Sequence, residues 1–342
     1  MKNIKKHIIK SFAVLFSAIT LLTTANSLTS FAFFLGDYSE KLASAIEQGD
    51  KTEVENLINE IKKENPEDVK KLVNIVTKYK GVHLVTLLSL AAKKNQTEIA
   101  RILLENGANV NNLTYKYCTP PIMYAVINKN DTLFNMLLEN GADITIPDRD
   151  NHNLFMVATN YSNYTAINLI LEKAKEIYKD EPLELKKFIN SRDDNNGKST
   201  SLMLAAASGS LSAVNAVLEN GANIEAKNEH NQNALMFAVS KLKGEISVII
   251  INILLENLKN KYPQNPEKII NYILDKDIHS RNAINYAERR NNPEAVTILL
   301  NVLKKLGLDY CPATDTYNYI IGIDPSEMNC PTFNFDHPPY QK

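Results

Sequence analysis

The sequence has 342 residues, and 44% of them are apolar. This composition excludes a chain that is disordered throughout and indicates one large hydrophobic core or two ordinary ones. The formal net charge of -1 is uneven, because the first 32 residues carry four Lys and no acid, which leaves 34 basic and 39 acidic side chains in the rest. A mildly acidic chain lacks the clustered Lys and Arg that nucleic-acid binding requires, so we expect no nucleic-acid partner.

Residues 1–32 have the outline of a secretory signal peptide. A basic stretch that ends at Lys10 precedes the apolar run 11–22, and small residues at 25–27 or 30–32 could form a cleavage site. An uncleaved membrane anchor is the alternative, but the apolar run has only 12 residues, and a spanning helix needs about 20. We therefore expect export to the periplasm or the medium, with no stable membrane span after cleavage.

The sequence repeats itself at intervals of 33 or 34 residues. The segments Ile102–Asn109, Met136–Asp143 and Val217–Asn223 are nearly identical, and so are Leu87–Ala92 and Ser201–Ala206. A small residue marks each repeat, and these residues are Ala45, Ala91, Ala125, Ala158, Ala205, Ala238 and Ala287. Because a fixed period of this length is typical of solenoids, it governs the interpretation of every other segment.

The period and the motif resemble the ankyrin repeat, in which Thr-Pro-Leu-His-x-Ala opens a first helix and a second helix ends in Leu-Leu and Gly-Ala-Asp or Gly-Ala-Asn. This resemblance implies an all-α fold, an ankyrin-repeat α-solenoid of helix-turn-helix units with short finger turns. It places the repeat domain at 33–306, between the signal peptide and a Pro- and Tyr-rich tail or cap at 307–342. About seven units are expected, near 37–60, 82–113, 116–147, 149–175, 195–226, 228–258 and 277–306.

Three intervals are longer than the repeat period, at 46, 47 and 49 residues. In each one, a charged extension leads to Pro66, Pro182 or Pro266 and then to a short segment with apolar residues at helical spacing. The first segment includes Val69, Leu72, Val73 and Val76. This spacing predicts three helical inserts that pack their apolar stripes back on the solenoid. Structural padding is the favoured role of the inserts, and a dedicated binding epitope is the alternative.

The chain departs from the family motif at its Thr and His positions. Thr survives only at Thr86 and Thr200, and the family His is replaced mostly by Met. We therefore expect the hydrogen-bond network of Thr and His to be mostly absent, and the array to be softer than a consensus one. Flexible core filling is the interpretation of the Met residues at these positions, which are Met123, Met156, Met203 and Met236.

The resemblance implies protein binding along a concave side, where turn tips form fingers and first helices form a palm. Alignment on the marking Ala puts Tyr117, Tyr161 and Arg290 on this side, and these are the expected anchors because Tyr and Arg dominate interface energetics. The further expected contact residues are Lys93, Lys94, Arg149, His152, His230 and Arg289. We expect a monomer that binds a protein, whose identity the sequence does not reveal.

Motifs for catalysis are not found in the sequence. No group of His, Glu, Cys or Ser has catalytic or metal-ligand spacing, so we expect no enzyme activity, no cofactor and no metal. The run Gly197–Ser199 resembles the end of a phosphate-binding loop, but that loop needs Gly where Arg192 stands, and a finger turn explains the run better.

The sequence does not decide between two states of Cys311 and Cys330 or between two roles of the C-terminal tail. Cys311 and Cys330 could form a disulfide in an oxidising compartment, or they could be two free thiols. Cys118 is interpreted as a small, partly buried apolar residue. The tail from Gly307 either caps the last repeat or docks on a partner.

Abundant Asn, Lys and Ile indicate a bacterial chain from an A+T-rich genome. An exported bacterial protein that resembles ankyrin repeats is expected to be a protein-interaction module that acts on a host protein. The alternative is a periplasmic scaffold or chaperone-like factor that protects an envelope enzyme.

Overall fold

A computed structural model describes residues 36–79, 83–112, 119–195, 197–311 and 316–319. Within these residues the chain forms seven helix pairs, three additional helices and two short antiparallel β-ladders. The expected signal peptide, Tyr117, Cys118 and Cys330 lie outside the described residues. Of Cys311, only the backbone is described.

The elements follow one another with short connections. In chain order they are α1 (36–48), α2 (Lys51–Glu64), α3 (Pro66–Val73), β1 (Val76–Tyr79), β2 (His83–Thr86), α4 (Leu87–Lys93), α5 (Thr97–Glu105), α6 (Pro121–Ile127), α7 (Asp131–Glu139), α8 (Leu154–Asn160), α9 (Tyr164–Ile177), α10 (Pro182–Ile189), α11 (Ser201–Ser208), α12 (Leu211–Glu219), α13 (Ala234–Lys241), α14 (Gly244–Lys261), α15 (Glu267–Leu274), α16 (Ala283–Arg289), α17 (Pro293–Lys305), β3 (Leu308–Cys311) and β4 (Thr316–Tyr319). The additional helices α3, α10 and α15 are the three predicted inserts, so the expected fold class is confirmed.

First and second helices contribute to the core in different ways. A first helix is short and buried almost throughout, as in α8, where every residue from Leu154 to Thr159 is buried. A second helix buries one stripe, as in α17 with Ala295, Val296, Leu299 and Leu303, spaced to line one face. The four Met residues at the family His positions are at most 1% exposed, which confirms them as core.

The chain divides into two compact units. The first contains the described residues up to Ala125 together with Asn135–Ala142, and the second contains Val126–Phe134 together with the described residues from Asp143 onward. In the second unit the first helices pack in the order α8, α11, α13, α16, and the second helices in the order α9, α12, α14, α17. Each helix pair there contacts its neighbours, as expected of stacked repeats.

The insert helices bury apolar stripes as predicted. In α10, Phe188 is buried, and its ring centroid lies 6.2 Å from that of Phe155 and 6.0 Å from that of Tyr178. The grouping of Val76 with the first insert helix was wrong, because α3 ends at Val73 and Val76 begins β1. The Asn74 side chain stops this helix by donating back to a carbonyl of its last turn.

At three repeats that lack the family Thr, Asn takes its place and makes side-chain hydrogen bonds that were not predicted. Asn153 accepts a hydrogen bond from the Met156 backbone N–H and so caps α8. Its Nδ2 also donates to the Phe188 carbonyl at 2.7 Å. Asn233 and Asn282 cap α13 and α16 in the same way and donate across to later residues. That the array is softer than a consensus array of ankyrin repeats stays a prediction.

Candidate protein-binding surface

Three finger turns of the second unit are built around an Asx side chain. In each, one side-chain oxygen accepts the backbone N–H groups two and four residues later in the chain, which closes a tight turn. The three accepting residues are Asp148, Asn228 and Asp277. The fourth residue of each turn has a left-handed backbone with φ of 59°, and these residues are Asn151, Asn231 and Ser280. These turns were not predicted, although the sequence shows their pattern as an Asx residue, three further residues, a long polar residue and Asn.

The long polar residue closes each turn through its side chain. Nδ1 of His152 lies 3.0 Å from Oδ2 of Asp148, and Arg281 donates to Oδ2 of Asp277 at 2.7 Å and 3.0 Å. Burial raises the pKa of Asp277, but the hydrogen bonds from Arg281, Tyr286 and the turn backbone outweigh it and lower the pKa to about 2. Asp277 is therefore an anion that holds its turn in shape at neutral pH.

Backbone hydrogen bonds join successive fingers of this unit. Asp194 donates to the Asp150 carbonyl at 2.8 Å, and Ile278 donates to the His230 carbonyl at 3.0 Å. Glu229 donates to the Gly197 carbonyl at 2.6 Å, and a Cβ on Gly197 would lie 2.6 Å from Cδ2 of His230. Since Gly197 also has φ of 68°, this Gly serves a finger turn, which agrees with the rejection of a phosphate-binding loop.

The predicted finger residues have different surroundings. Arg149 is exposed, and its Nε lies 3.4 Å from Asp150. His230 is exposed and lies over Gly197. His152 is half-buried and bonded within its own turn, so its first role is to shape the finger. The side chains of Asp148, Asp150 and His152 bring ligand atoms within 4.8 Å of one another, but the Asp148 oxygens already accept hydrogen bonds from the turn.

The predicted palm residues lie where first helices end. In the first unit, Lys93 ends α4 and its Nζ is 6.0 Å from the Tyr124 ring centroid, while Nζ of Lys94 is 3.5 Å from Oε1 of Glu47. In the second unit, Tyr161 follows α8 directly, and Arg289 and Arg290 stand at the end of α16. The structure therefore brings Tyr161, Arg289 and Arg290 onto one unit, apart from the two Lys.

The loops between the first and second helices of the last four pairs are together called the loop row. Its residues are 160–164, 207–211, 240–246 and 289–294. Nδ2 of Asn292 donates to the Leu242 carbonyl at 2.9 Å, which fixes the last two loops together. Cδ2 of Leu242 would lie 3.1 Å from a Cβ on Gly209, so the second and third loops also touch.

The loop row is rich in exposed apolar side chains. Among the described residues, six large hydrophobic side chains are exposed, and three of them are in the row. These three are Tyr161, Tyr164 and Ile246, with 43%, 53% and 42% of their surface exposed. Because large aromatic side chains held at low entropic cost make strong protein contacts, the exposure of these side chains along the row points to a docking surface.

A family model described as ankyrin repeats (3 copies) matches residues 42–148 and 202–311, which is more than half of the chain. The chain belongs to the ankyrin repeat family. Ankyrin repeats are protein-interaction scaffolds, so the chain is a protein-interaction module in the general sense. Among the described residues, no helix combines the length and the apolar character that crossing a membrane requires.

Two curated relatives match parts of the chain. An ankyrin repeat protein of fowlpox virus (strain NVSL) is 30% identical over 135 residues, which is 40% of this chain and 19% of the relative. The human transient receptor potential cation channel subfamily A member 1 is 27% identical over 168 residues, which is 41% of this chain and 15% of the relative. The match thus spans less than a fifth of either relative.

The solved structure of the ankyrin repeat domain of Bcl-3, described as a unique member of the IkappaB protein family, resembles this chain with a TM-score of 0.50. Sequence identity is 21%, and the match covers 76% of this chain and 97% of the Bcl-3 domain. At this identity the likeness shows the fold and nothing more.

Proposed function

We propose that this chain is an exported module that binds a protein partner through the loop row and the neighbouring finger turns, and that it has no catalytic activity of its own. The observation that carries the proposal is that three of the six exposed large hydrophobic side chains of the described residues, Tyr161, Tyr164 and Ile246, lie in the loop row, whose last three loops contact one another. A surface that is held rigid before binding loses little entropy when a partner docks.

The anchors of this proposal are Tyr161 and Arg290, with Arg289 next to Arg290 in the chain. Arg149, His152 and His230 are proposed as secondary contacts on the fingers. In the first unit, Lys93, Lys94 and Tyr117 are proposed to contact the same class of partner, and Tyr117 lies outside the described residues.

The proposed destination is a host cell, and the support is the signal-like pattern of residues 1–32 together with the interaction fold. The alternative is a scaffold or chaperone-like factor in the bacterial periplasm. Relatives from a poxvirus and a human channel match only in a fraction of their length, so we propose that the shared part concerns protein binding and not their other activities.

Affinity capture with variants tests the proposed surface. The full chain and a Tyr161→Ala, Tyr164→Ala, Arg290→Ala variant are used as baits in host lysate and in bacterial envelope lysate, followed by quantitative mass spectrometry. A matched control replaces Ile177 and Leu183, which are exposed at 51% and 72% on α9 and α10 and lie outside the loop row. We expect the control to keep the captured proteins and the triple variant to lose them.

Equal capture by the wild-type chain and the triple variant would reject the loop row as the binding surface. A captured set that consists of host proteins supports the host-directed role, and one confined to envelope proteins supports the periplasmic role. Catalytic turnover by the purified wild-type chain, with no other protein present, would reject the proposal that the module lacks activity.

A further inference from the structure

We propose that the segment docking on the loop row is an acidic protein segment that carries aromatic or aliphatic side chains between its carboxylates. This inference rests on the proposed function and specifies the chemistry of the partner. It is carried by four cations and one unusual helix start at the C-terminal end of the row.

Lys241, Lys243, Arg289 and Arg290 are all exposed. The hydrogen bond from Asn292 to the Leu242 carbonyl sets the two loops that carry them side by side. Within the described residues, none of these four side chains forms an ion pair, whereas other cations of the same unit do. Those paired cations include Lys173, Lys187, Lys261 and Lys268, each within 3.0 Å of a Glu oxygen.

Nearby acidic groups only partly offset this charge. Glu245 and Glu294 are exposed and lie in the first turns of α14 and α17, where the helix dipole stabilises an anion. Glu288 is half-buried, and burial raises its pKa above the ordinary value, so these three acidic groups face four cations. The surface between the two loops therefore keeps an excess of positive charge.

Local folding explains some of these cations but not Lys243. Lys241 and Arg289 lie in the last turns of α13 and α16, where a cation favours the helix. Lys243, however, is the N-cap of α14 and makes no side-chain capping bond. A cation at that position opposes the helix dipole and forgoes a cap.

The other second helices of the loop row do have caps. Asn163, Ser210 and Asn292 accept a backbone N–H at the starts of α9, α12 and α17. Because Lys243 disfavours the start of its own helix, its presence at this exposed loop indicates a role other than folding. Its positive charge suits the binding of an anionic group.

Apolar side chains alternate with these charges. Leu242 stands between Lys241 and Lys243, and Ile246, three residues after Lys243, has 42% of its surface exposed. A segment with carboxylates alone would meet the cations but leave Ile246, Tyr161 and Tyr164 in water. A segment with both kinds of side chain covers both kinds of group, which is why we assign mixed chemistry to it.

Fluorescence anisotropy with synthetic copolymers tests this assignment on the full chain. The probe is a fluorescein-labelled random copolymer of Glu and Tyr, and the comparison probes are poly-Glu and a random copolymer of Lys and Tyr. We expect the Glu–Tyr copolymer to bind more tightly than poly-Glu, the Lys–Tyr copolymer not to bind, and added NaCl to weaken binding.

Two matched charge variants separate the surface from net charge. Replacing Lys241, Lys243, Arg289 and Arg290 by Gln is expected to weaken binding of the Glu–Tyr copolymer by about tenfold. Replacing Lys175, Lys259, Lys304 and Lys305 by Gln removes the same charge from exposed positions on second helices and is expected to change binding by less than about twofold. Circular dichroism checks that both variants stay folded.

An equal loss in both variants, or tighter binding of vesicles containing phosphatidylserine than of the copolymer, would overturn the inference. Failure of the copolymer to bind would overturn it as well, while protein capture that still depends on Tyr161 and Tyr164 would leave the proposed function standing. Loss of dependence on those Tyr residues would instead reject the proposed function itself.

Discussion

Nδ2 of Asn153 donates a hydrogen bond to the carbonyl of Phe188 at 2.7 Å, although the two residues are 35 positions apart. Asn153 caps α8 and Phe188 lies in the insert helix α10, so one side chain joins a repeat to its insert. Asn233 makes the equivalent bond to the Tyr272 carbonyl in the insert helix α15 at 2.9 Å. The inserts α10 and α15 are therefore tied to the repeats by buried amides as well as by apolar contact.

Substitution of Asn153 tests how much this link contributes. Asn153→Ala removes both the cap and the buried donor, so we expect it to lower the free energy of unfolding by about 2–4 kcal/mol. Asn153→Ser keeps an N-cap but has no amide to reach the Phe188 carbonyl, so we expect an intermediate loss. Urea denaturation followed by circular dichroism measures both, and an Asn153→Ser variant as stable as the wild-type chain would show that the insert link adds nothing.

The finger turn of Asp148 and His152 should make stability depend on pH. The hydrogen bond with Asp148 raises the pKa of His152 above 6.5, and burial only partly opposes it. Because the folded pKa is raised, this stabilisation is fully present below about pH 6.5 and is lost as the pH rises through the folded value. Burial raises the pKa of Asp148, but the bonds from His152 and the turn lower it overall, so Asp148 stays ionised through this range.

A double variant supplies the control for this pH dependence. Asp148→Asn with His152→Gln copies the neutral Asn228 and Gln232 of the next such turn, where the same backbone bonds form. We expect wild-type stability to fall between about pH 6 and pH 8 more steeply than that of the double variant, because only the wild-type turn titrates there. Identical slopes in urea denaturation across this range would contradict the assignment.

Gly197 offers a test of the contact between fingers. Gly197→Ala should destabilise the chain by about 1–3 kcal/mol, because φ of 68° is strained for Ala and the new Cβ meets the His230 ring. Gly221→Ala is the matched control, since Gly221 has φ of 90° but no atom within 4 Å of the added Cβ. We expect the second change to cost less. Adding His230→Ala should recover part of the stability lost in the Gly197 variant. If thermal denaturation shows instead that the losses from Gly197→Ala and His230→Ala simply add in the double variant, the contact between the two residues is contradicted.

The last strand pair bears on whether the tail is a cap. Leu308 and Tyr310 are buried, and the Tyr310 hydroxyl accepts a hydrogen bond from Nδ2 of Asn282 at 2.7 Å. We propose that this segment caps the last repeat. Tyr310→Phe should then lower stability by about 1 kcal/mol, and deletion of residues 310–342 should lower the melting temperature further. A deletion that leaves the melting temperature unchanged but abolishes partner capture would favour docking instead.

Much of the fold was predictable from local patterns. The Ala spacing and the repeated Leu-Glu-Asn-Gly-Ala motif identify the helix pairs, and apolar residues at helical spacing identify α3, α10 and α15. The same patterns placed the Met residues in the core. Helix formation and burial of one face depend on residues a few positions apart, so they can be read directly from the chain.

Other features depended on residues brought together from distant repeats. No local pattern shows that Asn153 reaches Phe188, or that His230 needs Gly at position 197, since each contact forms only when neighbouring repeats stack. The same holds for Arg290, which the sequence placed at an exposed palm position, whereas its position beside Lys241 and Lys243 follows from the packing of α16 against α13. The sequence by itself determined which segments are helical and which faces are buried, and the tertiary structure alone decided which exposed side chains share a surface, because stacking sets distances between residues some 50 positions apart.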